Sequence, residues 1–232
     1  MNKQVKFIDL GLMDYKDAWD YQQNLFDEIV EIKKKNRKNN TKSITPNYFL
    51  FVEHPNVYTL GKSGNISNLL INENQLKSKN ASFYKINRGG DITYHGPGQI
   101  VVYPILDLEN FFTDIHQYLR FLEETVINTL KIYGLKGERN SGKTGVWLDI
   151  NTPFPRKICA MGVRASRWVT MHGFALNVNV NLDYFNNIIP CGLTNNIVTS
   201  LSKELNNNYI DLNRVKDDLK NSFSKTFKSE FI

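Results

Sequence analysis

RGGDITYHGPGQIVVYPILDL, from Arg88 to Leu108, is the stretch that decides the fold. Its first twelve residues hold four glycines, a proline and a histidine, so they read as a loop. The apolar run that follows, from Gln99 onward, reads as a buried strand. A glycine-rich loop feeding a strand can be a phosphate cradle, a plain turn, or the wall of a pocket for another ligand. The flanking sequence has to choose.

Upstream, SFYKIN (82–87) reads as a strand leading into the loop. NYFLFVEHPNVYTLG (47–61) reads as a buried strand, a turn at His54–Pro55 and a second short strand. Further out lie a strand at 5–10 and a helix starting near Asp14. That helix has Tyr15, Ala18, Trp19, Leu25, Phe26, Ile29 and Val30 at helical spacing.

Downstream, a helix over about 114–133 puts Ile115, Tyr118, Leu119, Leu122, Val126 and Leu130 on one side, and Gly134 ends it. GVWLDI, KICAMGVRAS and MHGFALNVNV read as strands. Asp211 caps a last helix whose inner face carries Val215, Leu219 and Phe223. Without repeats or a Pro/Gly/Ser linker, this mixture predicts one α+β domain over 1–232, with a mixed or antiparallel sheet packed by helices.

The 232 residues suffice for a core without staples, and two cysteines are too few for a disulfide framework. No apolar run approaches the roughly 18 residues of a membrane span, so the expected location is the cytoplasm, with reduced thiols. A formal charge of +6 favours acidic partners. Part of it lies in KKKNRKNNTK (33–42), which reads first as a solvated helix end.

GERNSGKT (137–144) fits the phosphate-loop pattern letter for letter. The chemistry of that motif needs a strand before it and a helix after it, so that helix amides face the phosphates. Here a helix precedes it and β-prone GVWLDI follows, so the nucleotide reading is rejected.

Cys191 stands in NNIIPCGLTNN, between a proline and a glycine. Locally, a reactive thiol on a tight turn and a small buried hydrophobe are equally good readings. Cys159, in KICAMGV, reads as an inward-facing strand residue. Making a thiolate predominate at neutral pH takes roughly 2.7 kcal/mol of differential stabilisation, which a nearby cation can supply. Candidate partners are His54, His95, His172 and Lys157, while His116 lies on the polar side of a helix. Lys157, in an otherwise apolar strand, is either a snorkelling edge residue or a buried charge.

Taken together, EHPNVYTLG (53–61), RGGDITYHGPGQIVVYPI (88–105), GVW (145–147), KICAMGVR (157–164), HGFALNVN (172–179) and PCG (190–192) resemble the lipoyl(octanoyl) transferase family. They occur in the family's order over about two-thirds of the chain, most densely over about 48–200. The resemblance implies a fold like the catalytic domain of biotin and lipoate protein ligases. It also implies a cysteine/lysine pair, here Cys191 and Lys157. The implied acyl pocket comprises Arg88, Gly89, Gly90, Asp91, Ile92, Thr93, Tyr94 and His95, then Ala160, Met161 and Gly162, then Gly173, Phe174 and Ala175. On this reading the opening loop is a pocket wall whose glycines let the backbone approach an acyl chain.

The implied reaction moves octanoyl from acyl carrier protein onto Cys191, then onto a lysine of a lipoyl domain. The acceptors would be the lipoyl domains of 2-oxoacid dehydrogenase complexes and the glycine cleavage H protein. Lys157 would stabilise the thiolate as an ammonium and take a proton as an amine. Amides near Gly192 or His172 would face the oxyanion. No metal, cofactor or ATP is expected, because thioester exchange is nearly balanced and amide formation runs downhill. The expected state is a monomer, without nucleic acid or membrane. An ATP-dependent ligase on the same fold is the nearest rival, and a transferase between lipoyl-bearing proteins is the next. A basic nucleic-acid module would need aromatics interleaved with Lys/Arg, whereas these fall at core spacing.

Overall fold

The computed structural model describes residues 1–189, 197–207 and 209–232. The chain opens with β1 (Gln4–Leu12), α1 (Tyr15–Asn39), β2 (Tyr48–Glu53), β3 (Val57–Leu60), α2 (Glu73–Ser78) and β4 (Ser82–Lys85). It continues through β5 (Ile92–His95), β6 (Gln99–Ile105), α3 (Ile115–Ile132), β7 (Glu138–Asn140), β8 (Lys143–Leu148), β9 (Arg156–Ser166) and β10 (Val169–Asn177). After a 3-10 segment at Leu182–Asn187 come β11 (Ile197–Val198), α4 (Leu201–Glu204), α5 (Leu212–Phe227) and β12 (Glu230–Phe231).

Nine strands of the described residues make one sheet in the order β12-β1-β2-β6-β10-β9-β8-β7, with β11 also paired to β9. The β12–β1, β1–β2 and β11–β9 pairs are parallel and the others antiparallel, so the mixed-sheet expectation holds. A smaller sheet has the order β4-β3-β5. The turn at His54–Pro55 therefore hands the chain from one sheet to the other, and the cavity described below lies where they meet.

Both faces of the large sheet are covered, which explains why YFLFV is apolar without alternation. Phe49, Phe51 and Val102 face α3 and α5, whereas Leu50, Val52, Val101 and Tyr103 face the side covered by α1. Burying a side chain like Phe49 is worth roughly 1.5–3 kcal/mol in transfer free energy. Truncating it to alanine would cost about 3–5 kcal/mol once the cavity left behind is included.

The helix ends follow local chemistry. Asp14, Asp114 and Asp211 cap α1, α3 and α5 by accepting from Lys16, Gln117 and Asn213 amides. Asn40, in the left-handed region at φ 53°, ends α1. In the basic segment, Lys33 turns inward to Asp107, at 2.5 Å, and Glu109, at 3.0 Å, anchoring that helix end. GERNSGKT forms the β7–β8 hairpin, turning at Gly142 with φ 73°, and no helix follows it.

Candidate active site

A cavity of about 700 Å³ lies between the Arg88–His95 segment of the small sheet and strands β6, β8, β9 and β10. That volume is typical of sites for small organic ligands, about 300–1,000 Å³. Arg88, Gly89, Gly90, Asp91, Ile92, Thr93, His95, Lys157, Ala160, Met161, Gly162, Gly173, Phe174 and Ala175 all line it.

Tyr94 is not among the lining residues. Its ring stacks on Tyr184 at 4.9 Å and 11°, and its hydroxyl donates to Asn56 Oδ1 at 2.7 Å. The resemblance implies Tyr94 as part of the acyl pocket; in the structure it packs beside Phe185, which lines that cavity. Cys191 lies outside the described residues, as does Gly192.

The RGG loop reaches β9 because glycine faces glycine. Gly89 N–H donates to Val163 O at 3.0 Å, and a Cβ on Gly162 would sit 2.7 Å from Gly89 O. Arg88, only 8% exposed, runs back across the small sheet. Its guanidinium donates to Thr59 O at 2.9 Å, Thr59 Oγ1 at 3.0 Å and Gly89 O at 3.0 Å. Arg88 thus ties the loop to β3 while bordering the cavity.

Lys157 reaches the cavity through a β-bulge. Val146 pairs with Cys159 and Trp147 with Lys157, so Ile158 is the extra residue in β9. The Lys157 ammonium lies 4.6 Å from the centre of the Trp147 ring, a cation–π contact, with that of Lys143 at 5.6 Å. Cys159 faces the other way, fully buried among Val146 and the α3 residues, and burial pushes its thiol far up. It is a core residue, as expected.

Described residues on either side of Cys191 in the sequence also meet the cavity. Phe185, six positions before it, and Val198, seven positions after it, both line the wall. Val198 pairs with Lys157, and Thr199 N–H donates to Lys157 O at 2.9 Å.

Three histidines near this region are buried and neutral. His54 donates from Nδ1 to Met13 O and accepts at Nε2 from the Tyr103 hydroxyl, each at 2.8 Å, and burial lowers its pKa to about 4. His54 lies behind the cavity wall and both nitrogens are engaged. His95 donates from Nδ1 to Gln99 Oε1 at 2.7 Å, and burial lowers it to about 3. Gln99 continues to Asn177 Oδ1 at 2.8 Å, and Asn177 to Thr199 O at 2.9 Å. This relay joins the GPGQ loop to Thr199, the residue that follows β11.

His172 donates from Nε2 to Asn87 Oδ1 at 2.8 Å. Its backbone is left-handed at φ 59°, held by Gln22 Oε1 on its amide at 2.9 Å. Burial first, then the charges of Arg88 and Arg164, lower it to about 3.

Sequence reasoning missed Tyr15, Tyr103, Trp147, Asn177, Phe185, Val198 and the hairpin residues Gly142–Thr144 as lining. Period-two alternation in VVYPI, with Val101 and Tyr103 on one face, was the usable signal for Tyr103. Nothing local pointed to the others. Among the described residues, no three His, Cys, Asp or Glu side chains converge as a metal site, and no helix is long and apolar enough to cross a membrane.

Residues 14–224 match the family model "Lipoyl protein ligase A/B catalytic domain". An octanoyltransferase of Christiangramia forsetii is 67% identical over 99% of this chain and 98% of its own length. An octanoyltransferase of Flavobacterium johnsoniae is 63% identical over the whole of both chains. Among solved structures, a bi-partite lipoate protein ligase of Thermoplasma acidophilum superimposes with TM-score 0.70 at 16% identity, covering all of this chain and 88% of its own, a likeness of fold alone. The chain belongs to the lipoyl protein ligase A/B catalytic domain family and, like its octanoyltransferase relatives, is an acyltransferase.

Proposed function

We propose that this chain transfers an octanoyl group from acyl carrier protein to a lysine of lipoyl domains through a thioester on Cys191. The observation that carries the reading is the junction at Lys157. Strand β11, which follows Cys191 in the sequence, is bonded to Lys157's own backbone, beside a largely apolar cavity. The lysine thus shares a strand pair with Val198, seven positions after Cys191 in the sequence.

In the first step the Cys191 thiolate attacks the octanoyl carbonyl carbon. The bond to the carrier's sulphur breaks, and that sulphur leaves as a thiol with the proton of the Lys157 ammonium, which becomes a neutral amine. In the second step the acceptor lysine's nitrogen attacks the Cys191 thioester. An amide forms, the carbon–sulphur bond breaks, and a proton passes from the amine through Lys157 to the Cys191 sulphur. Lys157 therefore acts first as a cation beside a thiolate and then as a proton carrier. The acyl chain would lie along Val101, Phe174 and Ala175, with the RGG loop and Gly162 as its close-packed wall. The net charge of +6 would favour encounter with acidic carrier and acceptor proteins.

The test is intact-protein mass spectrometry after mixing the enzyme with octanoyl acyl carrier protein, without ATP. Wild type, Cys191→Ser, Cys159→Ser and Lys157→Ala are compared. One octanoyl adduct, labile to hydroxylamine and missing only from the Cys191 variant, is the expected result. Transfer to a lipoyl domain that appears only with ATP and free octanoate would overturn the reading in favour of a ligase.

A further inference from the structure

We propose that Asn68 and Asp91 are a positioning pair that fixes the cavity loop against the chain leading into Cys191, an inference that rests on the thioester reading above. Asp91 lines the cavity, yet both of its oxygens serve the protein. Oδ1 accepts from the Ile92 amide at 2.7 Å, and Oδ2 accepts from Asn68 Nδ2 at 2.7 Å. Asn68 in turn accepts the Ile189 amide on its own carbonyl at 2.9 Å. Ile189 stands two residues before Cys191 in the sequence.

The pair therefore closes a short path from the acyl-pocket loop, through one side chain, to the last described residue before the nucleophile. Its central link is an amide donating to a carboxylate, a charge-assisted bond stronger than a neutral one. The same segment is held at two further points. Leu70 N–H donates to Asn187 O at 2.9 Å, and Leu69 bridges to Ile188. Behind it, Tyr184 lies stacked on Tyr94, and Tyr58 hydroxyl donates to Tyr184 O at 2.9 Å. Tyr94 thus belongs to the support of this segment.

The test exploits the asymmetry of the pair. Asn68→Asp sets two carboxylates against each other and removes the donor. Adding Asp91→Asn restores one carboxylate and one amide with the roles exchanged. Single-turnover acylation of Cys191 is followed by intact mass over a range of octanoyl acyl carrier protein concentrations, alongside thermal melting.

Asn68→Asp is expected to lower the plateau rate at least about tenfold with little change in half-saturation, since misplacement by about 1 Å can cost up to about 100-fold. The Asn68→Asp/Asp91→Asn swap is expected to recover most of that loss. Wild-type plateau rates in Asn68→Asp would overturn the inference. So would a swap variant that melts like wild type yet acylates slowly, because Asp91's charge would then act on the substrate itself. If Asn68→Asp fails to fold, the folded swap variant decides by the same criterion. Absence of any adduct on wild-type Cys191 would instead remove the thioester reading, and this pair's role with it.

Discussion

Lys157 and Cys159, two residues apart on one strand, point to opposite faces of the sheet. Lys157 lies over Trp147 at the cavity, and Cys159 packs with Val146 in the core beneath α3. Strict alternation would have put both on one face. The bulge at Ile158 separates them, giving the cavity a cation and the core a small apolar group.

That separation predicts contrasting thiol chemistry. Cys159 is fully buried with its thiol pushed far up, so it is expected to resist alkylation in the native protein. In a Cys191→Ser background, iodoacetamide should add nothing to the folded chain and one group to the chain in denaturant. Rapid native labelling of that variant would show that β9 does not hold Cys159 inward.

Replacing Lys157 by methionine keeps the stem against Trp147 while removing the cation. Acyl transfer is expected to fall by about 10²–10⁴-fold, the usual range for a lost acid–base group. The melting temperature should stay close to wild type, since the ammonium borders the cavity. A variant retaining more than a tenth of wild-type turnover would exclude Lys157 from the proton transfers.

Much of the scaffold was legible because its signals are local. Asp14, Asp114 and Asp211 announce helix starts that the structure matches within a residue or two, and the apolar spacing on α3 and α5 marks the faces they bury. The rejected phosphate loop was legible for the same reason, since strand and helix order is a local property. Lys157 was not decidable from its own strand. A bulge leaves no mark in KICAMGV, and only the family resemblance singled the lysine out. A motif match spans a whole segment, whereas the structure sorts its residues one by one: Thr93 and His95 line the cavity and Tyr94 stacks on Tyr184. Asn68 escaped notice since its partners are 23 and 121 positions away.

Gly162 supplies a steric test of the pocket wall. A Cβ there would approach Gly89 O to 2.7 Å and Arg88 Cδ to 3.1 Å, and the first of these is backbone. Gly162→Ala is therefore expected to push the RGG loop off β9 and to cost about 1–3 kcal/mol, as overpacking does. Because the loop borders the cavity, the half-saturating concentration of octanoyl donor should rise as well. Calorimetry with donor titration checks both, and wild-type values for each would show that the loop yields freely.

The neutral histidines predict acid sensitivity with a definite sign. His54, His95 and His172 have folded pKa values lowered to about 4, 3 and 3, against an ordinary value of about 6.5 in the unfolded chain. Above the unfolded value both states are neutral and the native state keeps its full stability. As pH falls through that value, the unfolded chain binds protons that the folded chain refuses, so stability drops. The loss continues down to the folded values near 3 to 4. Between pH 7 and 5.5, a window largely clear of carboxylate titration, three such groups should together remove roughly 4 kcal/mol. Urea unfolding across that window measures it directly. His54→Gln, which removes a titrating group behind the cavity wall, should flatten the slope by about one proton per molecule unfolded. A pH-independent midpoint in wild type would mean that these imidazoles are charged in the fold, contrary to their buried, singly donating geometry.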